Sequence, residues 1–448
     1  MRFRLRVMDV LTLSHDELVA LVLEQQATIA RLEQRIRDLE GGTTPLRRMP
    51  GHQPGQASRT GARPPRSKRA VNLARRRSQP AVQQVHTHAH CPRCGAPLAG
   101  GSIKRRREVI EIVLAPAIVT EHLALERCCP DCHARVTPRF DLAGQVVGQS
   151  RLGVGLVSLI ATLRSEWRLP ISAIQAYLSS VHHVSLSVGG ILGALRQVAR
   201  TGTVAVAETL AAIRASPVVH ADETGWREDG TNRYLWSFST PTHRYYTSGS
   251  RQKGMVDAVL GPDFSGVLVS DFYAAYDHYA GLQQKCWAHL LRDIAALSRQ
   301  WPADERLAVW ATGVHAVYQR AVFDAVALDD ASDMTRRQVH RRFQAELSAL
   351  CQPFLAADDA PQAVLCRRIE KYRHALFVFV LVPGVPATNN LAERSVRHEV
   401  ISRKISGGTR SARGTQTRTT LATLFGTFRA QGRDPFTACR ELLASPQV

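Results

Sequence analysis

The stretch between Pro217 and Asp271 constrains the fold more than any other part of the chain. Apolar runs at Val218–Asp222, Tyr234–Ser239 and Arg244–Ser248 predict three strands, Gly254–Leu260 a helix, and Gly266–Asp271 a further strand, so an α/β arrangement is expected. Asp222 and Asp271 each close an apolar run, where sheets of this kind place ligand-binding groups. One such aspartate is usually a turn former or a helix cap. Two of them, in a strongly basic protein, suit a hard cation better.

A third carboxylate is offered by Asn389-Asn390-Leu391-Ala392-Glu393-Arg394-Ser395-Val396-Arg397. On a helix, Asn389, Asn390, Glu393 and Arg397 share one face and can hold metal and phosphate together. The plain alternative is a solvated helix with a Glu393–Arg397 pair worth about a few tenths of a kcal/mol. Spacing alone leaves both open.

Composition narrows the partner. A formal charge of +20 and a pI near 10.2 exceed what solubility needs and point to an extended polyanion. Nucleic acid is expected rather than membrane, because no apolar run is long enough to span a bilayer. The opening residues have neither the apolar stretch nor the cleavage site of a signal peptide, so a cytoplasmic, nucleoid-associated location is expected. Nine cysteines, four of them in two CxxC pairs, fit a reducing compartment with a metal site better than a disulfide scaffold.

Six segments are predicted. Residues 12–40 carry Leu18, Val22, Ile29, Leu32, Ile36 and Leu39, a heptad seam interrupted at Gln25, so a coiled coil joining copies of the chain is expected. Residues 41–85 are a basic disordered linker; between 41 and 80 they hold ten Lys/Arg and no acidic residue. Residues 86–145 contain Cys91, Cys94, Cys129 and Cys132, whose four thiolates predict a structural Zn²⁺ site in a zinc-finger-like DNA-binding domain. The 34 residues between the pairs exceed usual zinc-ribbon spacing, and Cys128, His90 or His133 could replace a ligand. β-structure is expected around Val109 to Leu125; a redox dithiol is disfavoured because neither CxxC opens a helix after a strand. Residues 146–215 read as short helices, either a helix-turn-helix-like module or a plain helical subdomain. Residues 216–408 hold the chemistry, and 409–448 form a basic, helical C-terminal segment.

Five strings resemble the catalytic core of bacterial insertion-sequence transposases of the sixty-six family, the TnpC type. They are His220–Trp226, Val269–Tyr276, Cys286–His289, Asn389–Arg394 and Arg403–Gly414, in that order. The likeness extends to the N-terminal coiled coil, the cysteine-rich domain and the Asp434-Pro435 segment.

The resemblance implies an RNase H-like fold with a helical insertion at about 290–375, and a catalytic DDE triad of Asp222, Asp271 and Glu393. It implies two Mg²⁺ ions, with Mn²⁺ as a substitute, serving hydrolysis and then strand transfer at one site. The implied partners are double-stranded DNA, as terminal inverted repeats and as target, with accessory proteins of the same element. Arg394 and Arg397 would stabilise phosphate charge. Arg403, Lys404, Arg410 and Arg413, in a run read as a loop, would follow a DNA backbone. Trp287 and His289 would position DNA, although a core tryptophan is the commoner use of such a residue. Glu223, adjacent to Asp222, should point to the other face of its strand. This chain departs from the family where Leu290 and Leu291 precede Arg292, which removes a basic pair. Competing readings are a catalytically silent DNA-binding repressor derived from a transposase, a nuclease without strand transfer, and a zinc-ribbon RNA-binding protein.

Overall fold

The computed structural model describes residues 82–107, 109–110, 116–252, 254–328 and 330–445. The expected coiled coil at 12–40 and nearly all of the linker lie outside these residues. The chain divides at Ile110 into two units.

In the first unit, Cys91–Cys94 forms a tight hairpin turn. The Cys91 amide donates to Ala96 O and the Gly95 amide to Cys91 O, both at 2.8 Å. Gly95 takes the left-handed φ of +77° that closes the turn.

The second unit opens with the same device. Strands β1 (Arg127–Cys128) and β2 (Arg135–Val136) pair antiparallel. Between them the Cys129 amide donates to Ala134 O at 2.9 Å and the His133 amide to Cys129 O at 3.0 Å. His133 takes the place of Gly95, at φ +56°, so its backbone serves the turn. The β-structure expected around Val109 to Leu125 is not found among the described residues. Residues 116–126 form no strand; the Ala117 amide donates to His182 O at 3.0 Å, and Ile118 and Val119 are exposed.

Four helices follow: α1 (Val154–Ser165), α2 (Ile171–His182), α3 (Val188–Thr201) and α4 (Thr203–Arg214). Ser187 caps α3 by accepting the Gly190 amide. The apolar faces of α1 to α3, among them Ile160, Ile174, Leu178 and Val198, do not close on themselves. They share one core with Leu424, Phe425, Phe428 and Leu443 from the C-terminal helices α12 (Ala412–Ala430) and α13 (Pro435–Ala444). The helical region and the C-terminal segment therefore bury each other.

The central sheet has the order β5-β4-β3-β6-β7: β3 is Val218–Glu228, β4 Thr231–Ser239, β5 Arg244–Gly249, β6 Val267–Ser270 and β7 Gln283–Lys285. β3, β4 and β5 form an antiparallel meander, and β6 and β7 add in parallel. Helix α5 (Gly254–Leu260) makes the crossover from β5 to β6. Alternation decides what each face buries. Val219, Ala221 and Leu268 pack with α5 and Tyr276 on one side. Val267 and Val269 face the other side, against α6 (Trp287–Gln300), α7 (Glu305–Ala327), α8 (Asp333–Cys351), α9 (Ala363–Leu376) and α10 (Val378–Leu381). These helices fill the interval between β7 and α11 (Asn390–Ser406), which lies across β3 and β4.

Candidate active site

Strand pairing brings the two aspartates together. His220 pairs with Val269 across the parallel β3–β6 ladder. Asp222 and Asp271 each lie two residues beyond that pair, so they are level with one another and on the same face. Asp222 sits inside β3, opposite Ser237, because the antiparallel pairing with β4 continues to Glu228. The strand end expected there from sequence applies only to the pairing with β6, which stops at His220. Asp271 follows the last residue of β6, and its Oδ1 accepts the Tyr273 amide at 2.9 Å.

Burial pushes the Asp222 carboxyl up to about 7, and the nearby Glu223, Asp271 and Glu393 charges push the same way. The Glu223 amide, donating to Asp222 Oδ1 at 2.9 Å, opposes them. Glu223 itself points to the opposite face, as alternation requires. Its carboxylate accepts Tyr276 Oη at 2.6 Å and the Arg251 guanidinium at 2.9 Å, which makes it a brace for the turn after Asp271.

Glu393 stands in the first turn of α11. Its Oε1 accepts from Arg292 Nη2 at 2.9 Å and lies 3.5 Å from His289 Nδ1, both on α6. The Glu393–Arg397 pair of the sequence reading is replaced by this contact between helices. Asn389 is no member of a solvated polar face either: it is 1 % exposed. Asn389 Nδ2 donates to Ala221 O at 2.7 Å, its Oδ1 lies 3.0 Å from His220 Nδ1, and its amide donates to Cys286 Sγ at 3.1 Å. Because the amide nitrogen already serves Ala221, Oδ1 is the acceptor and His220 Nδ1 carries the proton. Burial holds the His220 ring down at about 4, so it is neutral in ordinary buffers. One side chain thus joins the strand of Asp222 to the helix of Glu393.

The sequence reading missed this role of Asn389 and His220, and that of Lys285. Lys285 is buried, with Nζ 3.2 Å from Ser270 Oγ and 3.3 Å from Asp277 Oδ1, next to the Asp271 strand end. His220 could have been found from parity, since it lies two residues before Asp222 on the same face. Lys285 left no signal, because nothing in a three-residue strand marks a buried ammonium.

The expected DNA-contacting residues divide. Arg394, Arg397, Lys404, Arg410 and Arg413 are exposed. Arg403 turns back to donate to Gly225 O. His289 is half-buried beside Glu393. Trp287 is fully buried, its Nε1 bonded to Leu376 O and its ring stacked 4.8 Å from that of Tyr318. Its place is in the core, and no face of the ring is left for a base.

The run from Arg403 to Arg418 is a loop only around Gly407–Ser411. There the Thr409 amide donates to Arg227 O at 2.9 Å and the Asp229 amide to Thr409 O at 2.8 Å, docking the loop on the end of β3. A Cβ at Gly408 would overlap the Arg227 carbonyl, so this close approach needs glycine. Arg418 is buried in an ion pair with Glu399 at 2.6 Å.

A mixed sheet with flanking helices, two aspartates on adjacent strands and a glutamate on a covering helix define an α/β protein; the oxygens of these three carboxylates do not all lie within 4.8 Å of one another. The family model described as Transposase IS66 family matches residues 149–417, more than half of the chain, and the chain belongs to this family. That span runs from α1 into α12 and contains all three carboxylates. The membership carries with it a transposase-type function of an insertion sequence. No curated protein matches the chain. Among the described residues no helix is long and apolar enough to cross a membrane.

Proposed function

We propose that the chain is a DDE-type transposase whose Asp222, Asp271 and Glu393 form the catalytic centre for DNA strand cleavage and strand transfer. The observation that carries this reading is the level placement of Asp222 and Asp271 on one face of parallel neighbours, with Glu393 close enough to act on the Asp222 charge. The strand order and directions also suit an RNase H-like core.

The donor set fits divalent metal. The negative charges that raise the proton affinity of the buried Asp222 would be offset by a shared cation, and oxygen donors favour Mg²⁺, with Mn²⁺ accepted. When bound, Mg²⁺ would lower the pKa of an attacking hydroxyl and neutralise charge at the scissile phosphate. The chain's own residues do the rest. Asn389 and His220 fix α11 against β3, Lys285 and Glu223 brace the segment around Asp271, and the exposed Arg394 and Arg397 lie on the helix that carries Glu393. Terminal repeats and target DNA are the substrates proposed for this basic surface.

Structural Zn²⁺ is proposed for the cysteine turns, with Cys91 and Cys94 as ligands in the first unit and Cys129 and Cys132 as ligands in the second. Support comes from their matching hydrogen bonds and from the thiols that begin them. Amides of Arg93 and Cys94 lower the Cys91 thiol, and amides of Cys132 and Asp131 lower that of Cys129, which favours the thiolate a metal needs. Association through residues 12–40 and help from accessory proteins complete the proposal.

The test is cleavage and joining of DNA carrying the element's ends, in Mg²⁺, by the wild type and by Glu393→Gln. Cutting and joining by the wild type, with binding but no cutting by the variant, is expected. Equal binding without cutting by either, accessory proteins included, would transfer the function to a silent DNA-binding repressor.

A further inference from the structure

Among the described residues, the one group of three or more His, Cys, Asp or Glu side chains within ligand reach of one another is Cys286, His289 and Glu393. Their donor atoms all lie within 4.8 Å of one another. The grouping follows from two helix starts. Cys286 is the N-cap of α6 and His289 lies in its first turn, a Cys-x-x-His spacing that turns sulfur and imidazole to one side. Glu393 projects from the first turn of α11 onto the same spot, held there through Asn389, whose amide bonds Cys286 Sγ.

Three features single out a ligand. His289 Nδ1 is a buried atom with no hydrogen-bond partner. It stands 3.5 Å from Glu393 Oε1, and bonds of about 2.0–2.3 Å to one tetrahedral ion put neighbouring donors about that far apart. The Glu393 oxygen already receives a cation, Arg292, whose side chain is 59 % exposed and can swing into solvent. Sulfur, imidazole nitrogen and carboxylate together select a borderline-soft ion rather than Mg²⁺, which prefers oxygen alone.

We propose that Cys286, His289 and Glu393 form an inhibitory site for Zn²⁺ that draws Glu393 away from Asp222 and Asp271. Binding would displace the Cys286 thiol proton and leave a fourth position to water. The inhibitory half rests on the catalytic role proposed for Glu393, whereas the metal site stands without it.

Full-length protein would be titrated with Co²⁺, which reports thiolate ligation by its charge-transfer absorption, for wild type, Cys286→Ser and His289→Asn. Serine remains a good helix cap, and circular dichroism identifies any variant that does not fold. The wild type should take up one equivalent more than either variant, with the cysteine turns filled equally in all three. In Mg²⁺-dependent cleavage, micromolar Zn²⁺ should slow the wild type about tenfold or more and Cys286→Ser by less than about twofold.

Equal Co²⁺ uptake by all three proteins would overturn the site. An extra equivalent whose affinity survives Glu393→Gln within about twofold would overturn the sharing of Glu393, since loss of a true ligand should cost at least as much as the roughly 10-fold or more of an outer-shell partner. A wild type that never cleaves DNA would strike the transposase reading, and the Co²⁺ stoichiometry would still decide the metal site.

Discussion

Asp222 and Asp271 on the one hand, and Glu393 on the other, are carried toward the proposed centre by different means. The aspartates are carried by paired strands, and the His220–Val269 couple fixes their relation to each other through main-chain hydrogen bonds. Glu393 comes 122 residues after Asp271, past five helices, and its helix is tied to the sheet through side chains, chiefly Asn389. A ladder resists displacement as a whole, whereas α11 is held by separate side-chain bonds, from Asn389 to Ala221 O, Tyr246 Oη to Ser395 O and Arg403 to Gly225 O, each of which a single substitution can remove. In the proposed centre the strand-borne acids are thus the half fixed by main-chain pairing, and Glu393 is the adjustable half, placed by side-chain contacts.

Breaking the tie at Asn389 gives the largest expected effect on this contrast. Asn389→Ala removes the bonds to Ala221 O and His220 and leaves both groups buried without a partner, a cost of about 2–4 kcal/mol. Misplacing Glu393 by about 1 Å should lower the cleavage rate of the folded fraction by about 10²-fold while DNA binding stays intact. Denaturant unfolding and single-turnover cleavage separate the two effects. A variant that loses stability but cuts at the wild-type rate per folded molecule would show that Asn389 does not position Glu393.

A second, smaller effect belongs to the fixed half. Asp222 has a folded pKa of about 7 against an ordinary value of 3.8, so between those values the folded state binds more protons than the unfolded. Its contribution to stability is neutral below about pH 4, turns unfavourable as pH rises through the window, and is fully unfavourable above about 7. The buried His220 and the half-buried His398 on α11, both lowered to about 4, act oppositely, costing stability as pH falls from 6.5 toward 4. The difference between wild type and Asp222→Asn isolates the aspartate. In Mg²⁺-free buffer the variant should match the wild type near pH 4 and exceed it by about 1–3 kcal/mol at pH 8. Added Mg²⁺ should raise the wild-type Tm and leave the variant unmoved. A difference flat across pH would mean that Asp222 is ionised in the folded protein from the start.

What the sequence made legible divides along the same contrast. Local pattern located β3 to β6 and both aspartates, because alternation and apolar runs are written within a few residues. Parity alone put Glu223 on the far face. The glutamate needed the motif resemblance, since a polar helix face reads the same whether it meets solvent or a sheet. Asn389 was misjudged for that reason: its position on a helical wheel carries no sign that the chain returns to β3. From sequence Trp287 fits a DNA contact as well as a core position, and only the arrival of Tyr318 and Phe377 from distant parts of the chain places it in the core. The shared burial of the helical region and the C-terminal helices, with more than 200 residues between α1 and α12, is equally invisible to a local reading.

The smallest expected effect concerns the hold that Arg292 has on Glu393, and it tests whether the adjustable half is in fact adjustable. The pair spans 2.9 Å, but the arginine is 59 % exposed, so it should stabilise the fold by less than about 1 kcal/mol. Arg292→Gln should therefore leave Tm nearly unchanged. If the guanidinium competes with Mg²⁺ for the same oxygen, removing it should lower the Mg²⁺ concentration for half-maximal cleavage by about two- to fivefold, the factor that up to about 1 kcal/mol allows. The opposite shift, a higher Mg²⁺ requirement with weaker DNA binding, would make Arg292 a phosphate contact. The glutamate would then be held in its working position by α6 as well, and the contrast between fixed and adjustable carboxylates would shrink.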